Sequence, residues 1–337
     1  MQSTLPQNNQ RKRHRGLGGL IFSVLLIGLS IALWLNRQYI VDSISFWQYS
    51  PSTAVANITE RVKLTDTGKF AFYASQPAVD GSRAFNATCD RKEENTAILG
   101  CYAANRIYIF DVQDTRLDGI EEVTAAHELL HAVYQRLSDG EKADVDRLVE
   151  AEYEKLRMDP DFAERMAFYD RTEPGERDNE LHSIIGTEVG SISSAMEAHY
   201  AKYFTDRSKI VGYYAAYNKV FTELSDRAKE LSTQLDNLSA EIKDATAKYN
   251  SDIKQLNADI AQFNQRASSG DFTSQAQFNA QRQALVTRVE ALAQERNSVN
   301  AKIDEYNQLK DEYNNTVTQS NQLYKSIDSS LAPAPKV

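Results

Sequence analysis

The pattern of apolar and polar positions changes character along the chain. From Gly16 to Leu35 there is no charged residue. About twenty such residues at about 1.5 Å each span the hydrocarbon core of a bilayer, so residues 16–35 are expected to form a transmembrane anchor. Residues 36–65 carry Pro51 and few apolar runs and read as a connecting segment. Beyond them, Phe70-Ala71-Phe72-Tyr73 and Ile107-Tyr108-Ile109-Phe110 are short aromatic and β-branched runs, read as strands. Helical patterns begin near Gly119. From about residue 219 glycine nearly vanishes. Leu224, Ala228, Leu231, Leu235, Leu238, Ile242, Ala245 and Tyr249 then recur at alternating steps of four and three, a heptad seam. Ile253, Leu256, Ile260 and Phe263 continue it after one extra step, a stutter. Residues 267–271 break the helix, and a second run carries Phe278, Leu285, Val289, Leu292, Val299, Ile303, Tyr306, Tyr313 and Val317, interrupted at Arg282, Arg296 and Lys310. Two long helices around a short polar turn predict an antiparallel coiled-coil hairpin over 219–328. The tail at 329–337 reads as disordered. The expected fold class is α+β: an N-terminal transmembrane helix, a small mixed domain over 66–218 and the C-terminal hairpin.

Charge orients this arrangement. Arg11, Lys12, Arg13 and Arg15 precede the apolar run, so residues 1–15 are expected to form a cytoplasmic basic tail and the rest of the chain to be extracytoplasmic. Trp34 sits near the outer end of the span, where aromatic rings favour the interface. A cleaved signal peptide is the rival reading, but its apolar region is typically about 7–15 residues long, and Leu33-Trp34-Leu35 is a poor cleavage site. The net charge of −9 argues against nucleic acid as a partner, because duplex binding needs a basic face. Cys89 and Cys101 are the only cysteines, both beyond the span. They read as a disulfide in an oxidising compartment, or else as two buried thiols.

The chemistry sits in His127-Glu128-Leu129-Leu130-His131. Four residues advance an α-helix by about 400°, which stacks His127 and His131 on one face. Both imidazoles can then reach a Zn²⁺ ion at about 2.0–2.1 Å. Glu128 projects about 100° away, towards a water rather than the metal, as a general base would. Val123, Leu130, Val133 and Leu137 form an apolar stripe that can bury the helix. A chance match to this motif in a chain of this length is expected on the order of once in a hundred.

A hydrolytic zinc site needs a third protein ligand and an open fourth position. Glu180, His182 and Glu188 are the candidates in Arg177–Glu188. Asp178 or Asn179 can cap a helix start and place Glu180 in its first turn, with Glu188 two turns further on the same face. One acid would bind metal and the other orient a ligand histidine.

H-E-x-x-H with a later helical Glu resembles the gluzincin metalloproteases. Asn179, Glu180 and Ser183 match the Asn-Glu-x-x-Ser-Asp string of the thermolysin-like members, with Ile184 in place of the Asp. Glu180-Leu181-His182-Ser183-Ile184-Ile185-Gly186 is similar in register to the Glu-Leu-x-Thr-Phe-x-Gly string of the neurotoxin light chains. The resemblance covers roughly residues 105–190 and excludes the hairpin. It implies a zincin-like fold, a Zn²⁺ ion on His127, His131 and Glu180, and Glu128 as base. It also implies a substrate peptide along a strand edge, for which Ile107–Phe110 is the candidate, and a transition-state donor among Tyr169, His182, His199, Tyr200 and Tyr203. The departure at Ile184 moves the supporting carboxylate to Glu188.

The expected function is therefore that of a membrane-anchored extracytoplasmic zinc endopeptidase acting on peptide or protein substrates. The alternative is an envelope scaffold working through its coiled coil and a coiled-coil partner, with a vestigial or structural zinc site. A cell-wall zinc amidase is a third option.

Overall fold

The computed structural model describes residues 15–89, 97–172 and 174–330. Arg11, Lys12 and Arg13 of the basic cluster and the tail at 331–337 lie outside them. The protein is mostly helical with one small sheet and a long C-terminal helical region. It divides into two compact units at Ala215 and Ala216, with Gln113–Leu117 belonging to the second.

The first unit opens with α1 (Arg15–Leu35), α2 (Arg37–Gln48), α3 (Thr53–Val62) and α4 (Asp66–Ala74). Among the described residues no single helix is long and apolar enough to cross a membrane. Leu20–Leu35 and Arg37–Gln48 meet that test only as a pair, bent by 63°. The stretch expected as a connector is helical and contributes to the core. Ser52 caps α3 by accepting from the Val55 amide at 3.3 Å, and Val55, Ile58 and Val62 are buried. Their spacing of three and four is a helical stripe too short to stand out among polar neighbours.

The run Phe70–Tyr73, expected as a strand, is the second half of α4. Thr65 caps this helix through the Gly68 amide at 3.0 Å, and Gly68, Ala71 and Phe72 bury one face at helical spacing. Phe70 and Tyr73 turn to α2 and the residue that ends it: Phe46 lies 5.3 Å from Phe70, and Tyr49 lies 5.4 Å from Tyr73, between ring centroids. The aromatic propensity for strands is outweighed by a cap and two packed faces.

Three strands follow around α5 (Ser82–Asn86): β1 (Ala78–Asp80), β2 (Gly100–Ala103) and β3 (Arg106–Phe110). The sheet order is β1-β3-β2, with β1 parallel and β2 antiparallel to β3. The β2–β3 hairpin turns at Ala104 and Asn105, both at positive φ, as a two-residue turn matched to strand twist requires. Cys89 and Cys101 form a disulfide with a Cα separation of 5.9 Å, closing the chain between α5 and β2. Phe85, Cys89 and Phe110 form one buried cluster at the sheet.

The helix α6 (Ile120–Arg136) runs through the middle of this unit and packs against α9, β3, β2, α3 and α4. It starts at Gly119, whose φ of 95° and close approach to Tyr213 exclude a side chain. It is buried on most sides rather than along a single stripe, with Ala125, Ala126, Leu129, Leu130 and Ala132 all nearly inaccessible. Leu137 is already extended, and Ser138 and Glu141 form a capping box that starts α7 (Asp139–Leu156). Then come α8 (Pro160–Thr172), α9 (Arg177–Glu188) and α10 (Ser194–Tyr200), after which α11 (Arg207–Ser269) carries the chain into the second unit.

The second unit pairs α11 with α12 (Gln275–Ile327). Glu241 meets Lys302, and Asp259 meets Arg288 at 2.5 Å; Phe263 meets Phe278 with centroids 5.1 Å apart. One number falls as the other rises, so the two helices run antiparallel. Leu231, Leu238 and Leu256 of α11 and Leu292 and Leu323 of α12 are buried. Gly270, at φ 72°, lies in the turn, and Ser274 caps α12 through the Gln277 amide at 3.2 Å.

Candidate metal centre

His127 and His131 lie one turn apart on α6, and Glu180 lies in the first turn of α9, the helix that packs most extensively against α6. The approach is close because of Gly186. A Cβ there would sit 2.3 Å from Leu130 Cδ1 and 2.8 Å from Tyr200 Cε1. With α9 held against α6, the three side chains converge. The two Nε2 atoms are 3.0 Å apart, His131 Nε2 is 3.4 Å from Glu180 Oε1, and His127 Nε2 is 3.7 Å from Glu180 Oε2. Ligand atoms at about 2.0–2.1 Å from a tetrahedral ion stand about 3.3 Å apart, and the observed separations bracket that value.

The buried chemistry fits a cation. Glu180 is almost wholly buried, and its Oε2 has no hydrogen-bond partner. A buried carboxylate oxygen left unpaired is costly, and a metal ion would satisfy it. Burial is the largest influence on the Glu180 carboxyl and raises its pKa. The imidazoles of His131 and His127 outweigh it and hold the group below its ordinary value. These three residues can hold a metal ion; two imidazoles and a carboxylate leave one tetrahedral position open.

The orientation of His131 is set by a chain of polar contacts. Asn179 Nδ2 donates to Glu176 Oε2 at 3.0 Å, which turns Asn179 Oδ1 towards His131 Nδ1, also at 3.0 Å. With a cation in the cluster, His131 would donate from Nδ1 and present a bare Nε2 to it. Ser183 Oγ lies 3.3 Å from the same Nδ1. Asn179 is thus not a cap: α9 begins after Glu176, with no side-chain cap. The match of Asn179 and Ser183 to the sequence string was a signal for this pair, and Glu176 had none.

The other two candidates lie elsewhere. Glu188 pairs with Arg165 of α8, so it does not support a ligand histidine. His182 is fully buried, with Nε2 2.8 Å from His199 Nε2 and Tyr200 stacked on it at 5.4 Å. Burial, helped by the neighbouring His199, pushes its pKa far down, and burial also takes His199 down to about 4. Both rings are neutral packing groups on the side of α9 facing α10.

Glu128, adjacent to His127, is buried under β2. A Cβ on Gly100 would lie 2.7 Å from Glu128 Oε1 and 2.6 Å from Thr124 Cγ2. The strand over the site is therefore β2. The expected strand β3 is central and has both edges occupied, by β1 and β2, so it has no edge to offer a substrate. Gly100 carried no recognisable signal in the sequence, because its role exists only against Glu128. Tyr169 on α8 lies within electrostatic reach of Glu180, Glu188 and Glu128. Burial raises its phenol pKa well above the ordinary value, as do the charges of Glu180, Glu188 and Glu128, so the hydroxyl keeps its proton.

Comparison with known protein families, characterised proteins and solved structures finds no match to this chain.

Proposed function

We propose that the chain is a membrane-anchored, extracytoplasmic, zinc-dependent endopeptidase with Glu128 as general base. The observation that carries this reading is the convergence of His127, His131 and Glu180 around an unpaired buried carboxylate oxygen, one residue from an acid packed beneath a strand edge. A zinc ion bound there would polarise a scissile carbonyl and ease the ionisation of water. Glu128 takes the proton of the attacking water and returns it to the leaving amine nitrogen. Among the described residues β2 pairs only with β3, so its other edge can take an extended peptide by backbone hydrogen bonds. Tyr169, held protonated, donates to the carbonyl oxygen as negative charge develops there.

The membrane reading is supported by α1. Leu20, Ile21, Phe22, Val24 and Leu25, at successive angles round the helix, are all more than half exposed, which lipid would cover. The Cys89–Cys101 disulfide suits an oxidising compartment.

The test uses the purified chain with a peptide library, with and without a chelator. About one zinc per chain is expected. Glu128→Gln should keep the metal and lose about 10²–10⁴-fold in hydrolysis. Undiminished cleavage by this variant, with contaminating proteases excluded, would overturn the reading.

A further inference from the structure

The helix α2 follows α1 after a single residue, Asn36, and turns away from it by 63°. It has two unlike faces. One packs inward: Phe46 lies against Phe70, and Asp42 is buried in a two-pronged ion pair with Arg136 at 2.9 and 3.0 Å. The other carries Val41, Ile44 and Trp47, exposed by 55%, 47% and 81%. These three residues recur at steps of three and lie on the side opposite Asp42 and Phe46. Asp42, the only acid of α2, is turned inward, so the charge left on the outward side is Arg37 at the start of the helix, which lies 5.8 Å from the Trp34 ring.

An apolar stripe with an aromatic residue, a cation at one end and no acid matches a lipid surface, where the stripe enters the acyl boundary and the cation meets phosphate. The continuity with α1 selects that occupant. The span proposed above is the whole uncharged run over residues 16–35, and with an ordinary tilt of about 20° from the normal in the same direction as the 63° bend, α2 comes close to the bilayer plane. On the basis of the membrane anchoring argued above, we propose that the Val41–Ile44–Trp47 face of α2 lies in the headgroup–acyl boundary of the outer leaflet and seats the metal centre at a fixed height over the membrane. The seat is tied to the site. Arg136, which grips Asp42, is the last residue of α6, and it also donates to the Tyr102 hydroxyl of β2 at 3.0 Å. The residue that holds α2 thus bridges the zinc-ligand helix and the strand over Glu128.

The chain has two tryptophans, Trp34 in α1 and Trp47 in α2, so each can be read alone. Full-length Trp34→Phe and Trp47→Phe variants are reconstituted in phosphatidylcholine–phosphatidylglycerol vesicles. Spin-labelled lipids carry the quencher either near the headgroup or deep in the acyl chain, and iodide is added outside. In Trp34→Phe, Trp47 should be quenched more by the shallow label than by the deep one and be shielded from iodide. Iodide access without lipid quenching would overturn the proposal, as would stronger quenching by the deep label, which would make α2 part of the span. Shielding from both lipid and iodide would also overturn it and point to a protein partner on this face. Trp34, read in Trp47→Phe, reports separately on the anchor: no lipid quenching there would remove the anchoring itself.

Discussion

Gly100 of β2 rests directly against the carboxylate of Glu128, so close that a methyl group on it would lie 2.7 Å from Oε1. The proposed base is positioned by a missing side chain. Gly100→Ala must displace Glu128 or the strand, because Thr124 Cγ2, one turn earlier on the same helix, crowds the new methyl as well, at 2.6 Å. A misplacement of about 1 Å can cost about 10²-fold in rate. Hydrolysis of a short peptide should fall by that order, while zinc content stays unchanged because no ligand is touched. Loss of zinc together with activity would show that the strand, not the base, had moved.

Asn179 orients His131 from the side away from the cluster, at 3.0 Å. Removing such a partner typically costs about 10–100-fold in metal affinity. Asn179→Ala should lose that much in a zinc competition titration, Glu180→Ala more, and Glu188→Ala less than either. A larger loss for Glu188→Ala would contradict the placement of Glu188 against Arg165.

The parts of this arrangement legible in the sequence are local ones. Stacked histidines on α6, the heptad seam of α11 and the apolar run of β3 follow from spacing within a single element; on α12 the seam was read only in part, since Val289 and Ile303, counted in it, are exposed. Glu180 was legible because its string places Asn179 and Ser183 at a fixed offset from it, and both touch His131. What was not legible depends on a distant partner. Phe70 and Tyr73 look like strand residues until α2 covers them. Gly100-Cys101-Tyr102-Ala103 is too weakly apolar to announce a strand, and it becomes one by pairing with β3 and by the disulfide at Cys101. Asp42 marks α2 as part of the core only once Arg136, 94 residues away, is in place.

Glu121 makes stability depend on pH. It is half-buried in the first turn of α6 and accepts from the Val112 amide at 2.9 Å. Burial, the largest influence, takes its carboxyl from an ordinary 4.5 up to about 7, with Asp111 and Glu122 adding to the rise against the Val112 bond. The folded state therefore keeps a proton that the unfolded chain gives up. Its contribution is full below about pH 4.5 and is lost as pH rises to about 7. Glu121→Gln keeps an acceptor for Val112 and removes the ionisation. In urea denaturation it should be more stable than the parent by about 1–2 kcal/mol at pH 8, allowing for solvent screening, with the gain vanishing by pH 4. A difference independent of pH would reject this assignment.

The closeness of α6 and α9 can be tested through the two residues that set it. In Gly186→Ala the new methyl would fall 2.3 Å from Leu130 Cδ1 and 2.8 Å from Tyr200 Cε1. Tyr200 cannot easily yield, since it is fully buried and its hydroxyl donates to the His182 carbonyl at 2.7 Å. Overpacking of this kind costs about 1–3 kcal/mol. Because Glu180 rides on the same helix, α9 moving outward would also open the ligand set and weaken zinc binding. Leu130→Ala alone leaves a cavity and costs about 2–5 kcal/mol. Combined, the two changes should partly cancel, since the smaller residue at 130 makes room for the methyl at 186. The expected coupling is about 0.5–3 kcal/mol in favour of the double variant, read by urea denaturation of the metal-free protein. Zinc affinity should recover in parallel, being lowest in Gly186→Ala and higher in the pair. Strict additivity in stability, with no recovery of zinc binding, would mean that the helix spacing is set elsewhere and that Gly186 does not bring Glu180 to the histidines.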